Sequence, residues 1–285
     1  MGLHPATHSD ISALAAFLRG HAATAMFALS NLVNDGLGSD GPRQMRFWLC
    51  RSHGRITGVI GLSGQGFLMP VMPDAGADDW QAAVAALRGL AITGVAGETG
   101  QADRFMALAG LSGAAMARSE DEPGFTLTLA DLNMPDCAGY TLVRPGGSQR
   151  EILTGWRAAY HTEVLGTPGD QARIQGAADI DAYLARDSHR LLLRAGQPVA
   201  MTGFNATLPD RVQIGGVYTP PELRGQGHAR RAVGLHLVEA RGQGVTSAVL
   251  YAFSEQAARA YRAIGFQPAG RMRLAIFARP QAVAP

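Results

Sequence analysis

The chain has 285 residues, of which 47% are hydrophobic and 17% charged, so it can bury a core in each of two average-sized domains or in one large one. This composition excludes a globally disordered chain. The 25 basic and 23 acidic side chains leave a formal net charge of +2, whereas a general nucleic-acid binder would carry a larger basic excess. All 25 basic side chains are arginines, so a Schiff-base lysine and the lysine of a P-loop are excluded.

The cysteines, the N-terminal sequence and the apolar runs indicate the cellular compartment of the protein. Cys50 and Cys137 form no C-x-x-C pair and cannot staple a chain of this length, which favours a reduced intracellular setting. The N-terminal sequence lacks a cationic segment followed by an apolar one, so we expect no secretory signal. The longest charge-free run, Ile56–Pro73, contains four glycines and two prolines and predicts strands and turns rather than a membrane span. We therefore expect a cytoplasmic protein without a membrane partner.

The first half predicts a mixture of helices and strands. Apolar residues at helical spacing predict a helix over Ile11–Arg19, and a second helical pattern covers Trp80–Leu90. Two apolar runs, Phe47–Arg51 and Ile56–Leu62, are joined by a short turn with a glycine, which predicts a hairpin. Residues 114–122 predict a surface loop or the end of a helix.

A turn-rich segment near the middle of the chain predicts a domain boundary. Residues 133–139 are weakly apolar and contain proline and glycine, so we divide the chain into domains of residues 1–138 and 139–285. The hairpin pattern that starts at Phe47 returns at Arg190, about 143 residues later, which suggests the same fold twice. The alternative is a chance likeness between two hairpins.

The second half is rich in predicted strands. We expect strands at Tyr140–Arg144, Arg190–Arg194, Val199–Phe204, Val212–Tyr218, Ser247–Phe253 and Met272–Phe277, and helices near Ile180–Ala185, Gly227–Arg241 and Gln256–Ile264. Ser148 and Glu151 have the spacing of a capping box, which predicts the start of another helix. The apolar face of that helix would carry Ile152, Trp156, Ala159 and Tyr160.

One glycine-rich turn, Arg224–Ala229, lies between a predicted strand and a long helix. Its glycines let backbone N–H groups converge, and a helix N-terminus adds the positive end of its dipole. Together with Arg230 and Arg231, it predicts a cradle for phosphate groups. The turn has neither the lysine of a P-loop nor the spacing of a dinucleotide-binding G-x-G-x-x-G motif. The alternative is a tight strand–helix connection with solvated arginines.

Two motifs in the second half carry a family resemblance. The sequence Arg-Gly-Gln-Gly-His-Ala at 224–229 resembles the Q/R-x-x-G-x-G/A signature of the GCN5-related N-acetyltransferase (GNAT) superfamily. Residues 254–266 resemble the family pattern N-x-x-A-x-x-x-Y-x-x-x-G-F, with Ser254 at the position of the asparagine. The resemblance covers about 140–277 and both motifs come in the family's order.

The resemblance implies a fold, an activity and a set of site residues. The fold is α/β (α+β), with two lobes that each contain a mixed, mostly antiparallel sheet flanked by helices. The activity is transfer of the acetyl group of acetyl-CoA to an amine by direct attack. Tyr261 would act as the general acid for the leaving CoA thiolate, and a main-chain N–H near Val217 would polarise the thioester. The expected cofactor-binding residues are Val217, Tyr218, Thr219, Arg224, Gly225, Gln226, Gly227, His228, Ala229, Arg230 and Ser254.

Several roles stay open at the level of sequence. Ser254 is best interpreted as a helix N-cap, with any pantetheine contact secondary, and His228 as a packing residue. We assign no metal, because no third ligand lies near His228 and His236 in the sequence. The general base is not identified: Glu222 lies in the turn and Gln213 is no base. The remaining candidates are Glu163, Asp179, Asp181 and a bound water.

The first half offers no second cradle. The run Phe67–Pro73 stands where the glycine–arginine turn would be, and it has two prolines and no arginine. Asp78 and Asp79 are interpreted as a helix N-terminus. We therefore expect a degenerate N-terminal lobe, as in tandem members of the superfamily. The rival interpretations are a non-catalytic acyl-CoA-binding or regulatory protein, and a nucleotide-binding module unrelated to CoA; the acceptor and the choice between monomer and homodimer are left open.

Overall fold

The computed structural model describes residues 2–283, which divide into two units. The first unit contains the chain up to Gly124 together with the residues from Ala269 onward, and the second contains Phe125–Pro268. These units are groups of residues in mutual contact, and the predicted domain boundary between residues 138 and 139 stays a prediction beside them.

The first unit alternates helices and strands. Its elements are β1 (His4–Pro5), α1 (Ile11–Gly20), α2 (Ala22–Asp35), β2 (Met45–Ser52), β3 (Arg55–Ser63), β4 (Phe67–Val71), α3 (Ala77–Ala86), β5 (Ala91–Glu98), α4 (Thr99–Leu108) and the first part of β6 (Met116–Thr128). The later part of β6 belongs to the second unit.

The second unit has the strands and helices that position the site. Its further elements are β7 (Tyr140–Val143), α5 (Arg150–Leu165), α6 (Gly169–Arg186), β8 (His189–Arg194), β9 (Gln197–Thr207), β10 (Arg211–Tyr218), α7 (His228–Gly242), β11 (Ser247–Tyr251) and α8 (Glu255–Arg262). The last strand, β12 (Gln267–Ala282), begins here and runs into the first unit.

Both units have the same strand order. The first reads β1-β2-β3-β4-β5-β12, and the second reads β7-β8-β9-β10-β11-β6. The pairs β4–β5 and β10–β11 are parallel, whereas the pairs β2–β3, β3–β4, β7–β8, β8–β9 and β9–β10 are antiparallel. Each sheet is therefore mixed, mostly antiparallel and flanked by helices, and the predicted fold class is confirmed.

The two hairpins that suggested a repeat have matching turns. His53 and Gly54 have φ angles of 48° and 78°, and Ala195 and Gly196 have φ angles of 48° and 78°. Two consecutive positive φ angles are typical of the tight turn that suits the twist of a two-residue hairpin. The shared turn and the shared strand order support the interpretation that the fold occurs twice.

The prediction for residues 114–122 is wrong, because most of this segment forms the start of strand β6. Asp121 is neutralised by a distant partner, and two other charged side chains of the segment pair with each other. Arg271 Nε donates to Asp121 Oδ2 at 2.9 Å, and Arg118 lies 3.3 Å from Glu122. Since Arg271 lies 150 residues away from Asp121, the signal that makes this segment a strand is non-local.

The predicted capping box does not form, although the helix that it predicted is present as α5. In the turn before α5, Gly146 N donates to the side chain of Gln149 at 2.8 Å, and Ser148 does not cap the helix. Ile152 is also misplaced: it is 40% exposed, while the other three residues of the predicted apolar face are partly buried. The apolar face is therefore rotated towards Leu153.

Helices cover both faces of the second unit's sheet. Leu191 of β8 packs with Leu153 of α5 and Ile180 of α6. Its neighbour Leu192 packs with Ala232 of α7. Because consecutive strand residues point to opposite faces, α5 and α6 lie on one side of the sheet and α7 on the other. Helix α8 lies with α7, since residues of both pack in one cluster.

A β-bulge in β10 changes which side chains face which helices. Ile214 packs in the cluster of α7 and α8, whereas Tyr218 packs with α5 and α6. Residues four apart in a regular strand share a face, so an extra residue must lie between them. The register with β9 shifts between Gly215 and Tyr218, and Gly216 has a φ of +64°. The bulge therefore turns Tyr218 towards the α5 side.

A chain that starts at the predicted boundary should lose stability. Phe125, Leu127 and Leu129 are at most 2% exposed and pack with α7 and α8. Removing three such side chains forfeits about 5–8 kcal/mol of burial energy, which is comparable with the whole stability of a domain. We expect a fragment of residues 139–285 to melt well below one of residues 125–285 in circular dichroism. Equal melting temperatures would show that the later part of β6 is dispensable.

Candidate active site

The parallel strands β10 and β11 separate before β10 ends. Their register runs from Arg211 with Ser247 to Gln213 with Val249, although β10 continues to Tyr218. The bulge lies just beyond the last of these pairs. A cavity of about 680 Å³ opens at this end of the two strands.

The cavity brings the two sequence motifs together. It is lined by the end of β10, the glycine-rich turn, the start of α7, the segment after β11, helix α8 and part of α5. Every expected site residue lines it except Gln226. The carbonyl oxygen of Gln226 instead accepts a hydrogen bond from Arg231 Nη1 at 2.9 Å, on which the shape of the turn depends.

The glycine-rich turn leaves the N-terminus of α7 open. Gly225 and Gly227 have φ angles of +79° and +75°, which glycine adopts without strain. Gly227 is the N-cap residue of α7, and no side chain caps the helix there. The first N–H groups of a helix have no partner within it, so those of α7 are available to an anion.

Arg224 and Arg231, two of the three predicted arginines, are engaged within the protein. Arg224 Nη2 lies 2.6 Å from Glu163 Oε2, and its Nε donates to the carbonyl of Thr219 at 3.0 Å. Arg231 Nε donates to the carbonyl of Asp136 at 2.6 Å.

The third predicted arginine, Arg230, lines the cavity and has an N–H group without a hydrogen-bond partner. Its Nε is buried without a hydrogen-bond partner. A Cβ built on Gly227 would lie 2.9 Å from this atom, so the guanidinium lies against the turn. The hydroxyl of Thr219, at the end of β10, is also buried without a partner. These two polar groups and the open helix N-terminus fit a ligand that has anionic and hydrogen-bonding parts.

Glu163 joins helix α5 to the site. Its Oε1 accepts a hydrogen bond from the hydroxyl of Tyr218 at 3.2 Å, and its Oε2 pairs with Arg224. Burial and the neighbouring carboxylate raise the pKa of Tyr218 to about 12, so this hydroxyl stays protonated and keeps donating at neutral pH. The side chain of Glu163 is 37% exposed and therefore still reachable from the cavity.

Helix α8 starts and ends as its sequence predicts to within two residues. Ser254 is the N-cap, and its Oγ accepts from Ala257 N at 3.2 Å, which confirms the capping interpretation. Tyr261 is 8% exposed, lines the cavity and packs edge-on against Phe266 with ring centroids 6.1 Å apart. Its role as a general acid stays a prediction.

His228 is buried at the start of α7. The ring is 2% exposed and lies 5.6 Å from the ring of Tyr140, so the packing interpretation is supported. Burial lowers the pKa of His228, which keeps its imidazole neutral. Among the described residues, there is no group of three side chains with the donors for a metal ion.

The structure separates the candidates for the general base. Glu163 lines the cavity, whereas Glu222 and Gln213 do not. Asp179 is bound by Arg157 and His161 at 2.6 and 2.8 Å, away from the cavity lining. Asp181 is paired with Arg150 at 2.7 Å on the surface.

Several residues that line the cavity were not predicted from the sequence. Tyr160 and Val164 of α5 line the cavity, as do Phe253, which is 58% exposed, and Arg259 of α8. Arg259 lies two positions before Tyr261 on a helix of the second motif, but residues two apart on a helix do not share a face, so this spacing gave no signal. The α5 residues had none, because only the tertiary fold brings that helix to the end of β10.

The corresponding place in the first unit is filled. Strands β4 and β5 are paired in parallel at Phe67 and Leu68. Just beyond, Gln101 Oε1 accepts from Met72 N at 2.5 Å. At the N-terminus of α3, the side chain of Asp79 accepts from Gly76 N at 3.1 Å. The carboxylate of Asp79 therefore already places a negative charge at this end of the helix.

The part of the chain that forms this site matches a known family. Residues 151–266 match the model of the acetyltransferase (GNAT) family, and this part of the chain belongs to that family. The match runs from α5 through α8 and includes both motifs and the residues that line the cavity. The family assignment from the sequence is thereby confirmed.

The fold of the whole chain is similar to that of several solved structures. A tandem GNAT protein from the clavulanic acid biosynthesis pathway is 15% identical with a TM-score of 0.55, and 99% of each chain is covered. A GCN5-related N-acetyltransferase from Sphaerobacter thermophilus is 16% identical with a TM-score of 0.57, covering 99% of this chain and 96% of that one. A Drosophila protein from structural genomics is 15% identical with a TM-score of 0.63, covering 96% and 98%. The two-lobe fold is thus shared.

The comparison with curated protein sequences gave no match. Within residues 2–283, none of the helices combines the length and the apolar character that crossing a membrane requires.

Proposed function

We propose that the second unit transfers the acetyl group of acetyl-CoA to an amine acceptor, and that residues 139–285 form the catalytic domain. The observation that carries the proposal is the cavity at the separated ends of β10 and β11, which contains the open N-terminus of α7. Residues 1–138 would then be a lobe of the same fold without a cofactor site.

The unmatched polar groups of the cavity fit acetyl-CoA. The N–H groups at residues 225–230, with Arg230, would hold the pyrophosphate. Thr219 and the backbone at Val217 would bind the pantetheine arm between the separated strands. Ser254 is already used as a helix cap, so its contribution to binding is indirect.

The proposed chemistry needs few groups from the protein. Acetyl-CoA supplies an activated acetyl group as a thioester, so a neutral amine can attack it without a covalent enzyme intermediate. The main-chain N–H near Val217 would stabilise the negative charge that develops on the carbonyl oxygen. Tyr261 would donate a proton to the departing thiolate.

Ligand-induced thermal shifts test the binding part of the proposal. With acetyl-CoA or CoA at 100 times the dissociation constant, the transition of the second unit should rise by roughly 5–10 °C, while ATP at the same concentration should have a smaller effect. No shift with either CoA compound would overturn the proposal. A shift with ATP alone would favour a nucleotide-binding module.

An amine panel tests the transfer part. Free CoA released from acetyl-CoA would be followed with small amines, amino acids, aminoglycosides and peptides with free N-termini. We expect release that depends on one class of amine. Tight acetyl-CoA binding without amine-dependent release across the panel would favour the non-catalytic acyl-CoA-binding alternative.

A further inference from the structure

The cavity reaches both faces of the second unit's sheet. The turn, α7 and α8 form its wall on one face, where the phosphate groups of acetyl-CoA are proposed to lie. Helix α5 lies on the opposite face and contributes Tyr160, Glu163 and Val164. The gap between β10 and β11 connects the two sides. A second substrate can therefore approach the gap from the α5 side while the first one occupies the α7 side.

Among the described residues that line the cavity, Glu163 is the only one with a carboxylate side chain. It lies on the α5 wall, and the bulge turns its partner Tyr218 to the same face. The cavity's other ionised side chains, Arg224, Arg230 and Arg259, are cations. Negative charge on the wall of this cavity is thus confined to one position.

The carboxylate of Glu163 keeps capacity for a further donor. A carboxylate has about four acceptor positions, and the two oxygens of Glu163 each accept one hydrogen bond, from Tyr218 and from Arg224. Since the side chain is 37% exposed, an ammonium group can reach an open position. An acidic group on the α5 side would find Arg224 already paired with Glu163.

We propose that Glu163 binds the protonated amine of the acceptor, which loses its proton to water before it attacks the thioester, and that the acceptor is a cationic amine without a carboxylate or phosphate beside the amine. This inference rests on the proposed function, because it assigns the second substrate of the same site. It makes Glu163 a recognition residue and favours simple amines and polyamines over zwitterionic α-amino acids.

Two CoA thioethers test the proposal without knowledge of the natural acceptor. S-(2-aminoethyl)-CoA and S-propyl-CoA have tails of equal length, which end in an ammonium and a methyl group. Both place the tail in the gap between β10 and β11. By calorimetry we expect the protein to bind the aminoethyl compound about fivefold more tightly, the size of a partly exposed ion pair. Because the two compounds share the CoA part, the ratio of their affinities reports only on the tail.

The variant Glu163→Gln should abolish this preference. Glu222→Gln serves as the matched control, because Glu222 is a nearby carboxylate that does not line the cavity, and this variant should keep the preference. S-carboxymethyl-CoA should bind more tightly to Glu163→Gln than to the unmodified protein, since the repelling charge is gone and Arg224 is released. Thermal unfolding of each variant checks that the fold is retained.

The failures are distinguishable. Equal binding of the aminoethyl and propyl compounds, or a preference that survives in Glu163→Gln, would overturn the role of Glu163. Binding of CoA without binding of either thioether would do the same, because the gap would then not admit an acceptor. If CoA itself does not bind, the proposed function fails first.

Discussion

Replacing Gly227 with valine is expected to weaken acetyl-CoA binding by about 100-fold, because several charge-assisted hydrogen bonds to phosphate would be lost together. Gly227 has a φ of +75°, which strains any residue with a branched Cβ. A Cβ there would also lie 2.9 Å from Arg230 Nε and Arg231 Nη1. The side chain would displace both guanidinium groups and cover the open end of α7.

Calorimetric titration with acetyl-CoA measures this effect. Gly244→Val is the control, because Gly244 also has a positive φ, +98°, and a Cβ at this residue would meet no atom within 4 Å. Gly244→Val should strain the backbone to a similar degree and leave the affinity unchanged. Undiminished affinity in a folded Gly227→Val protein would show that the turn does not hold the phosphates.

Tyr261→Phe is expected to slow acetyl transfer by about 100-fold, the usual contribution of a positioned general acid, while acetyl-CoA binding changes little. Phenylalanine keeps the ring, which packs against Phe266, and removes the hydroxyl that would protonate the thiolate. The measurement is the rate of CoA release with a saturating amine found in the panel, together with a binding titration.

Tyr183→Phe provides a matched control for the loss of a buried tyrosine hydroxyl. Tyr183 is 8% exposed, as Tyr261 is, but it packs with α5 and stacks on His189 at a centroid distance of 3.5 Å, outside the cavity lining. Turnover of this variant should stay near that of the unmodified protein. An unchanged rate in Tyr261→Phe would remove Tyr261 from the reaction and leave proton donation to water.

The site could be predicted from the sequence where its signals are local. The turn at Gly225 and Gly227 needs positive φ angles, and the presence of glycine at both positions predicts them. The N-cap at Ser254 follows from its position before a helical pattern. Tyr261 is fixed seven residues further on the same helix. Such features depend on a few neighbouring residues, and the sequence of those residues carries the information.

Features that depend on distant partners could not be predicted. Strand β6 was missed because its charged residues find partners such as Arg271 only in the folded sheet. Arg224 was expected to face phosphate, yet its guanidinium is bound by Glu163, which lies 61 residues earlier in the chain. Tyr160 belongs to the same class: its place in the cavity depends on the packing of α5 against the sheet, which has no local signature.

The course of β12 constrains how this protein could have lost or gained a lobe. Because the chain leaves the first unit in β6 and returns to it in β12, the second unit is an insertion that first-unit residues flank on both sides. Deletion of the first unit would cut the chain on both sides of the second and remove the first part of β6. Chain connectivity therefore ties the first unit's sheet to the second unit, whatever the sequence of its loops.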